Sequence, residues 1–317
     1  MVISKLDNLK LNSNRDHEDK KIFWDGPSIN ERIKNDIFYQ RTMIRFKTIE
    51  YFFDDGFYAL KPEMIDYDEN GNLIVYESLL FDFYVFAENG SLIKKISGRN
   101  ISAFCIGPKN TIYCLSIDKK SIYIFDIKRG YFINEYKIDI ISQRMNIINH
   151  ICVCLIKGTI FLLGNNGYII YLDIKNTHNG TNSINLINYF YSDTPDTHAK
   201  GLYYHRIDER RFHLCCFSDY GFYKFEFDSD KGCIEQIKGM KPTVYKFDEQ
   251  FERPFKIFFD SNDRFFFFND QNLSYCDNNL KSVILRFHRF RDFESMAFDN
   301  KNKKIALLDS NNKIHIF

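Results

Sequence analysis

The chain has 317 residues, a length that a single large all-β domain can reach. Its 44% hydrophobic and 27% charged residues exclude a wholly disordered protein, and its formal net charge of +1 excludes a global electrostatic attraction to nucleic acid or to anionic membranes. Its aromatic residues are mainly 33 Phe and 20 Tyr, beside a single Trp.

Residues 1–40 are predicted to form a polar N-terminal tail outside the folded domain. They contain no apolar stretch of the signal-peptide type, and no apolar run in the chain reaches the ~18 residues of a membrane span. The eight cysteines lie inside strand-like runs and form no Cys-x-x-Cys pair, a pattern typical of buried reduced thiols. We therefore expect a cytoplasmic or nuclear protein with no membrane insertion.

From about residue 41 onward, the pattern predicts short β-strands separated by turn residues. A dense apolar strand recurs at residues 72, 111, 159, 211, 264 and 304, about 46 residues apart on average and within the ~40–50 range of propeller repeats. Each dense strand is followed by a third strand, and five of the six lead to a fourth. Dense strands are expected where a sheet is buried on both faces between neighbouring sheets.

These repeats predict an all-β fold, a six-bladed β-propeller of four-stranded antiparallel blades, with seven blades as the alternative. The last repeat lacks a fourth strand, and residues 42–49 are predicted to supply it and close the ring. The folded domain would then span residues 41–317. The blades are expected at about residues 62–98, 99–140, 141–191, 199–239, 253–287 and 292–317.

The first repeat resembles a known family. Residues 66–97, with the run DENGNLIVYESLLFDFYVFAENGSLIKKIS, resemble the NHL repeat in their Asn-Gly turn, aromatic strand and closing turn. The WD40 repeat is a looser match, since Gly-His is absent and the single Trp-Asp pair (Trp24-Asp25) lies outside any blade. The resemblance implies a mostly non-catalytic binding platform, and some NHL domains bind single-stranded RNA on a basic face.

The residues from Asp66 to Glu77 match the spacing of an EF-hand calcium loop. An EF-hand needs helices on both sides, whereas Pro62 precedes this run and strand-like residues follow it. We therefore expect an Asn-Gly hairpin turn between the first two strands of a blade. Whether this turn also binds calcium stays open at the level of the sequence.

Residues 286–291, which we call the basic aromatic loop, follow the fifth repeat. They combine Phe side chains with Arg and His side chains. Such a pattern suits a nucleic-acid strand, because guanidinium groups bind phosphates and rings stack under bases. The alternative is a turn whose Phe side chains pack inward while its arginines are solvated. Two arginines fall in equivalent connections between blades, so the candidate partner-binding or RNA-binding residues are Arg99, Arg144, Arg286, His288, Arg289 and Arg291.

Catalytic and cofactor motifs are missing from the sequence. There is no Ser nucleophile elbow, HExxH, P-loop or glycine-rich dinucleotide motif, so no catalytic residue, metal site or cofactor is assigned. His205 and His213 flank a charged turn, but no Cys or carboxylate spacing completes a tetrahedral metal site there. Glu63 and Glu294, near first strands, are the only hint of a metal-dependent lactonase.

The sequence thus favours a non-enzymatic interaction platform, a subunit or adaptor of a larger assembly with protein partners. The second hypothesis is RNA binding through Arg99, Arg144 and the basic aromatic loop, and the third is a metal-dependent hydrolase. The identity of the partner and the oligomeric state are not predicted.

Overall fold

A computed structural model describes most of the chain from residue 47 onward. The described residues are 47–49, 61–139, 148–153, 159–164, 168–175, 183–191, 201–217, 221–228, 243–246, 256–259, 265–268, 272–276, 282–286, 293–299, 302, 304–310 and 312–316. Their strands lie in one compact unit, Lys47–Ile316. The predicted tail, residues 1–40, lies outside the described residues. Within the described part of the chain, no helix has the length and apolar character that crossing a membrane requires.

The described residues form twenty-four β-strands. In chain order they are β1 (Lys47–Ile49), β2 (Pro62–Tyr67), β3 (Leu73–Glu77), β4 (Asp82–Phe86), β5 (Leu92–Ser97), β6 (Ile101–Gly107), β7 (Thr111–Ser116), β8 (Ser121–Asp126), β9 (Tyr131–Asp139), β10 (Ile148–Val153), β11 (Ile160–Gly164), β12 (Tyr168–Lys175), β13 (Ser183–Tyr191), β14 (Gly201–Arg206), β15 (Arg211–Phe217), β16 (Gly221–Asp228), β17 (Thr243–Lys246), β18 (Lys256–Phe259), β19 (Phe265–Phe268), β20 (Asn272–Cys276), β21 (Ser282–Arg286), β22 (Phe293–Asp299), β23 (Lys304–Asp309) and β24 (Ile314–Ile316).

The strands pair in groups of four that follow the order of the sequence. Strands β2–β5, β14–β17 and β18–β21 each form a four-stranded antiparallel sheet. Strands β6–β9 and β10–β13 form two more antiparallel groups, which join into an eight-stranded sheet because β13 runs parallel to β9 at Ser183–Asn185 and Lys137–Asp139. The last sheet has the order β1-β24-β23-β22, and residues 47–49 pair antiparallel with Ile314–Ile316.

Four hydrophobic clusters join neighbouring sheets in the described part of the chain, from β22–β24 through β2–β5, β6–β9 and β10–β12 to β14–β16. On β3, Leu73 and Val75 pack in a cluster with β22–β24, whereas Ile74 and Tyr76 pack in a cluster with β6–β9. Two further clusters join β6–β9 to β10–β12 and β10–β12 to β14–β16. Because successive side chains of a strand point to opposite faces, burial on both faces requires the unbroken apolar runs seen in the sequence.

The described cysteines behave as the sequence predicted. Cys114, Cys152, Cys215 and Cys216 are buried inside strands and form no disulfide bond, and Cys105 is partly buried. Burial raises the pKa of Cys216 to about 12, because a thiolate is poorly solvated in an apolar core. These thiols therefore act as small apolar groups.

Candidate interaction face

Three loop segments of the first two sheets lie at one end of their strands, and we call them the hairpin face. They are the turn 78–81 between β3 and β4, the connection 98–100 between β5 and β6, and the turn 117–120 between β7 and β8. The backbone NH of Ile117 donates to the Asn100 carbonyl at 3.2 Å. A Cβ on Gly98 would lie 2.2 Å from the Phe81 carbonyl oxygen, so the connection packs tightly between the two turns.

The tips of both turns carry exposed aliphatic side chains. Leu79 is 55% exposed, Leu80 51% and Ile117 55%. Turns in soluble proteins usually carry Gly, Asn, Asp, Ser or Pro at such positions. Neighbouring exposed aliphatic side chains of this kind are typical of surfaces that bind another molecule.

The first turn is shaped by a buried carboxylate. Glu77, only 1% exposed, ends β3, and its carboxylate accepts hydrogen bonds from the backbone NH groups of Lys61 (3.1 Å), Leu79 (2.8 Å) and Leu80 (2.6 Å). Hydrogen bonds to an ionised acceptor are stronger than neutral ones. The carboxylate therefore holds the turn in the conformation that directs the two leucines outward.

A serine and an aspartate shape the second turn in the same way. The Ser116 hydroxyl accepts from the backbone NH groups of Lys120 (3.1 Å) and Ser121 (2.9 Å), and it donates to Asp118 Oδ1 at 2.6 Å. The hydrogen bond from Ser116 is the main reason that the pKa of Asp118 lies below its ordinary value. The polar groups of this turn thus bond within the turn and leave Ile117 at its tip.

Arg99, one of the predicted binding residues, anchors the connection to the second sheet. Its guanidinium carbon lies 4.7 Å from the ring centroid of Tyr123 and 4.2 Å from that of Phe132. Arg99 Nη1 donates to Glu135 Oε2 at 3.0 Å, and the other oxygen of Glu135 accepts from the Ser121 hydroxyl at 2.9 Å. Arg99 therefore forms a surface ion pair with Glu135, and together with the ring contacts this pair positions the connection.

The backbone of the same connection is bonded to a tyrosine of the first sheet. The fully buried Tyr76 side chain donates from its hydroxyl to the Arg99 carbonyl at 3.1 Å, and it accepts from the Ile101 NH at 3.3 Å. Burial raises the pKa of Tyr76 to about 12. The hydroxyl thus keeps its proton, and both bonds, at neutral pH.

Of the other predicted binding residues, the structure describes Arg286. Arg286 is the last residue of β21, where its backbone pairs with Asn272 of β20. Arg144, His288, Arg289 and Arg291 lie outside the described residues. The structure therefore places Arg99 in the hairpin face and Arg286 at the end of β21, and the remaining four stay predictions.

The run from Asp66 to Glu77 forms a hairpin turn. The Asp68 carboxylate accepts from the backbone NH groups of Asn70 and Asn72, each at 2.8 Å, and from the Asn72 amide nitrogen at 2.9 Å. Gly71 adopts a φ of +83°, which suits a glycine. Since β3 separates Asp68 from Glu77, the two carboxylates lie at opposite ends of a strand and do not form one loop around an ion.

The two histidines that flank a turn in the sequence are direct neighbours across β14 and β15. Their ring centroids lie 6.1 Å apart, and both side chains are buried. Glu226 of β16 is opposite His213, with His213 Nε2 at 3.8 Å from Glu226 Oε2, a proximity that sequence spacing does not reveal. Among the described residues, no group of three or more His, Cys, Asp or Glu side chains is arranged to hold a metal ion.

The sequence analysis did not predict the aliphatic tips, nor the hydrogen bonds of Tyr76 and Glu77 that shape this face. One signal was present, because the turn 78–81 reads Ser-Leu-Leu-Phe and places two leucines where turn residues are expected. The roles of Tyr76 and Glu77 had no such signal, since both residues continue the apolar or alternating pattern of a strand.

Comparisons with known proteins give the class of the fold. No protein-family model and no curated protein sequence matches the chain. A catalytically inactive virginiamycin B lyase from Staphylococcus aureus, solved with quinupristin, aligns with a TM-score of 0.54 at 13% identity over 86% of this chain and 88% of the lyase. A streptogramin B lyase aligns with a TM-score of 0.54 at 12% identity over 86% of this chain and 96% of that chain.

A third solved structure widens the range of functions on this fold. Hydrazine synthase from Kuenenia stuttgartiensis aligns with a TM-score of 0.50 at 12% identity over 82% of this chain and 78% of the synthase. These neighbours have β-propeller-type folds. The chain therefore has an all-β fold of the propeller type, with antiparallel four-stranded sheets. At such low identity the likeness shows the fold alone, and it is compatible with the NHL and WD40 resemblance of the sequence.

Proposed function

We propose that this chain is a six-bladed β-propeller that serves as an interaction platform, a subunit or adaptor of a protein assembly, and that a protein partner binds its hairpin face. The blade number is supported by the pairing of strands in successive groups of four from β2 to β21, followed by β22–β24 with β1. In this proposal β1 is the fourth strand of the last blade and closes the ring at that sheet.

The observation that carries the proposed function is the exposure of Leu79, Leu80 and Ile117 on adjacent turns. Fully burying a Leu or Ile side chain contributes about 1.5–3 kcal/mol, so covering the exposed half of each contributes about 1 kcal/mol. Glu77 and Ser116 bond to the backbone of the two turns, and Arg99 and Tyr76 hold the connection between them. A pre-organised apolar surface loses little conformational entropy when a partner covers it.

Two other functions have less support. The lyase and synthase activities belong to the structural neighbours, and no observation among the described residues favours a metal-dependent lactonase. RNA binding needs cations that are available to phosphates, whereas Arg99 is paired with Glu135. The experiment therefore includes a test for RNA binding through the loop at 286–291.

The test compares three forms of the tagged full chain expressed in cells of its source. The first is wild type, the second carries Leu79→Ser, Leu80→Ser and Ile117→Ser, and the third carries Leu92→Ser and Ile93→Ser. The third is a matched control, because Leu92 and Ile93 are 48% and 51% exposed on β5, away from the hairpin face. All three should unfold within about 0.5 kcal/mol of each other, since surface substitutions have small effects.

We expect wild type and the control to co-purify with a protein in fixed stoichiometry, stable to nuclease, and the hairpin-face variant to lose it. Retention of the partner by the hairpin-face variant would contradict the proposal. A different result would favour RNA binding over the proposed platform. In that case the association would be sensitive to nuclease, would persist in the hairpin-face variant, and would be lost in a variant that carries Arg286→Glu, Arg289→Glu and Arg291→Glu.

A further inference from the structure

A buried tyrosine of the first sheet points its hydroxyl at charged side chains of the last sheet without bonding to them. We infer that this place is a binding site for one ordered water molecule, which joins the hydroxyl of Tyr67 to the carboxylate of Asp299. The water would link two sheets whose strands are far apart in the chain. The inference concerns the end of the sheets opposite the hairpin face and is independent of the proposed function.

The hydroxyl of Tyr67 is a buried polar group that needs a partner. Tyr67 is the last residue of β2 and only 8% exposed, and among the described residues its hydroxyl oxygen has no hydrogen-bond partner. Nearly all buried polar side-chain atoms bond to a protein group or to an ordered water. A buried hydroxyl without either would lower the stability of the fold, because it gives up its hydrogen bonds to bulk water.

The last sheet brings a charged pair close to this hydroxyl. Tyr67 packs in one hydrophobic cluster with Ala297 and Ala306, which are paired across β22 and β23. Side chains two residues apart on a strand lie on the same face. The next pair on that face is Asp299 with Lys304. The small alanines leave room for the tyrosine ring, and the hydroxyl at the end of the ring therefore lies near the charged pair.

Two carboxylates act on the hydroxyl. Asp299 is only 3% exposed, and its carboxylate accepts from the Asn302 NH at 3.1 Å and from Asn302 Nδ2 at 2.7 Å. A carboxylate offers about four acceptor positions, more than these two bonds use. Burial, and then the charges of Asp299 and Glu88, raise the pKa of Tyr67. The hydroxyl thus keeps its proton at neutral pH and is available as a donor.

A water molecule suits these groups better than a metal ion does. Water can accept the proton of the phenol and donate its own to a carboxylate, whereas a cation cannot accept from a hydroxyl. Glu88 already forms an ion pair with Lys304, so a positive charge is present at the site. In the described part of the chain, no three or more His, Cys, Asp or Glu side chains are arranged to hold a metal ion. Buried waters typically bond to two to four such polar groups.

The first test is the stability of the full chain with Tyr67→Phe, measured by urea denaturation at pH 7. The substitution keeps the ring and removes the hydroxyl. If a water bridges the hydroxyl to Asp299, its bond is lost and the equilibrium constant for unfolding should rise about fivefold. Tyr131→Phe is the matched control, because Tyr131 is 47% exposed on β9, and it should change the constant by no more than about twofold.

The second test is a pair of crystal structures, of wild type and of Tyr67→Phe. We expect wild type to show one water within about 3.2 Å of both the Tyr67 hydroxyl oxygen and a carboxylate oxygen of Asp299. The variant should lack this bridge. Dialysis of wild type against EDTA should leave its stability unchanged.

Three results would overturn the inference. The first is a Tyr67→Phe variant that is as stable as wild type or more stable, as expected for a hydroxyl that has no partner. The second is a wild-type crystal structure with no water at this position, or with a direct hydrogen bond from Tyr67 to Asp299. The third is a loss of stability after treatment with EDTA, which would show that a metal ion occupies the site.

Discussion

The two ends of the first sheets are built differently. At the end opposite the hairpin face, turns of neighbouring sheets bond to one another. The Glu69 NH donates to Asn110 Oδ1 at 3.1 Å, and Lys304 forms an ion pair with Glu88. At the hairpin face, the side-chain hydrogen bonds of the turns serve mainly their own backbone, and the aliphatic tips remain exposed. Both ends hold neighbouring sheets together, at the hairpin face through Tyr76 and Arg99, and the hairpin face in addition presents exposed aliphatic side chains.

The largest expected effect comes from filling a close contact between two sheets at the end opposite the hairpin face. Gly71 has a φ of +83°, and a Cβ there would lie 2.3 Å from Asn302 Nδ2 and 2.8 Å from Asp299 Oδ2, two side chains that bond to each other at 2.7 Å. The left-handed conformation and the overpacking each cost a side chain about 1–3 kcal/mol. Gly71→Ala should therefore lower the free energy of unfolding by about 2–4 kcal/mol, measured by urea denaturation at pH 7.

Gly130→Ala is the matched control for this prediction. Gly130 also has a positive φ, +77°, but its nearest neighbour would be the Cδ of Lys94 at 3.0 Å, in a flexible side chain that can move. The loss should then be limited to the conformational cost of about 1–2 kcal/mol. Equal losses in the two variants would show that the packing of Gly71 against the last sheet contributes nothing.

A smaller effect, with a distinctive pH dependence, is expected at the hairpin face. Tyr76→Phe removes the bonds to the Arg99 carbonyl and the Ile101 NH, and should reduce stability at pH 7 by about 1–2 kcal/mol. The pKa of Tyr76 is raised from 10.0 to about 12, so the folded state keeps the phenol proton longer than the unfolded state. Its contribution is complete below pH 10 and is lost as pH rises towards 12.

The difference in the free energy of unfolding between wild type and Tyr76→Phe should therefore narrow between pH 10 and pH 12 in urea denaturation. Tyr131→Phe serves as the control, since Tyr131 is an exposed residue of β9 and its loss should change stability little at any pH. A difference that stays constant across this range would contradict the assigned role of the Tyr76 hydroxyl.

The smallest effect on stability is expected at Arg99. Arg99→Ala removes the contacts with Tyr123, Phe132 and Glu135 from a partly exposed side chain, which amounts to about 1 kcal/mol. Because the connection 98–100 is then less well held, partner affinity at the hairpin face should fall more than stability does. Arg129→Ala is the control, because exposed Arg129 has a similar ion pair and ring contact, with Asp126 and Tyr131, at the other end of the sheet. An equal loss of partner affinity in Arg99→Ala and Arg129→Ala would argue against a local role for Arg99.

The strand pattern was largely predictable from the sequence. The dense runs at 72–77, 111–116, 159–164 and 304–309 correspond to β3, β7, β11 and β23 within one residue. These strands are easy to recognise because a strand that is buried on both faces is apolar at nearly every position. The parallel pairing of β9 with β13 could not be predicted from the sequence, because it joins backbone groups of two outer strands and leaves no apolar pattern.

The candidate site was predictable only in part. The sequence placed Arg99 in a connection between blades and predicted an Asn-Gly turn at Gly71, since both features depend on neighbouring residues in the chain. It did not reveal that Arg99 pairs with Glu135, 36 positions further along the chain.

By itself, the sequence determined the all-β class, the spacing of the strands and the turns between them, because hydrophobic period and turn chemistry are local properties. Only the tertiary structure decided which polar groups form hydrogen bonds within the fold and which side chains remain exposed. Glu77, Tyr76 and Arg99 look like ordinary strand or loop residues until sheets pack side by side. The leucines at 79 and 80 acquire significance only because the buried carboxylate of Glu77 holds their turn open to solvent.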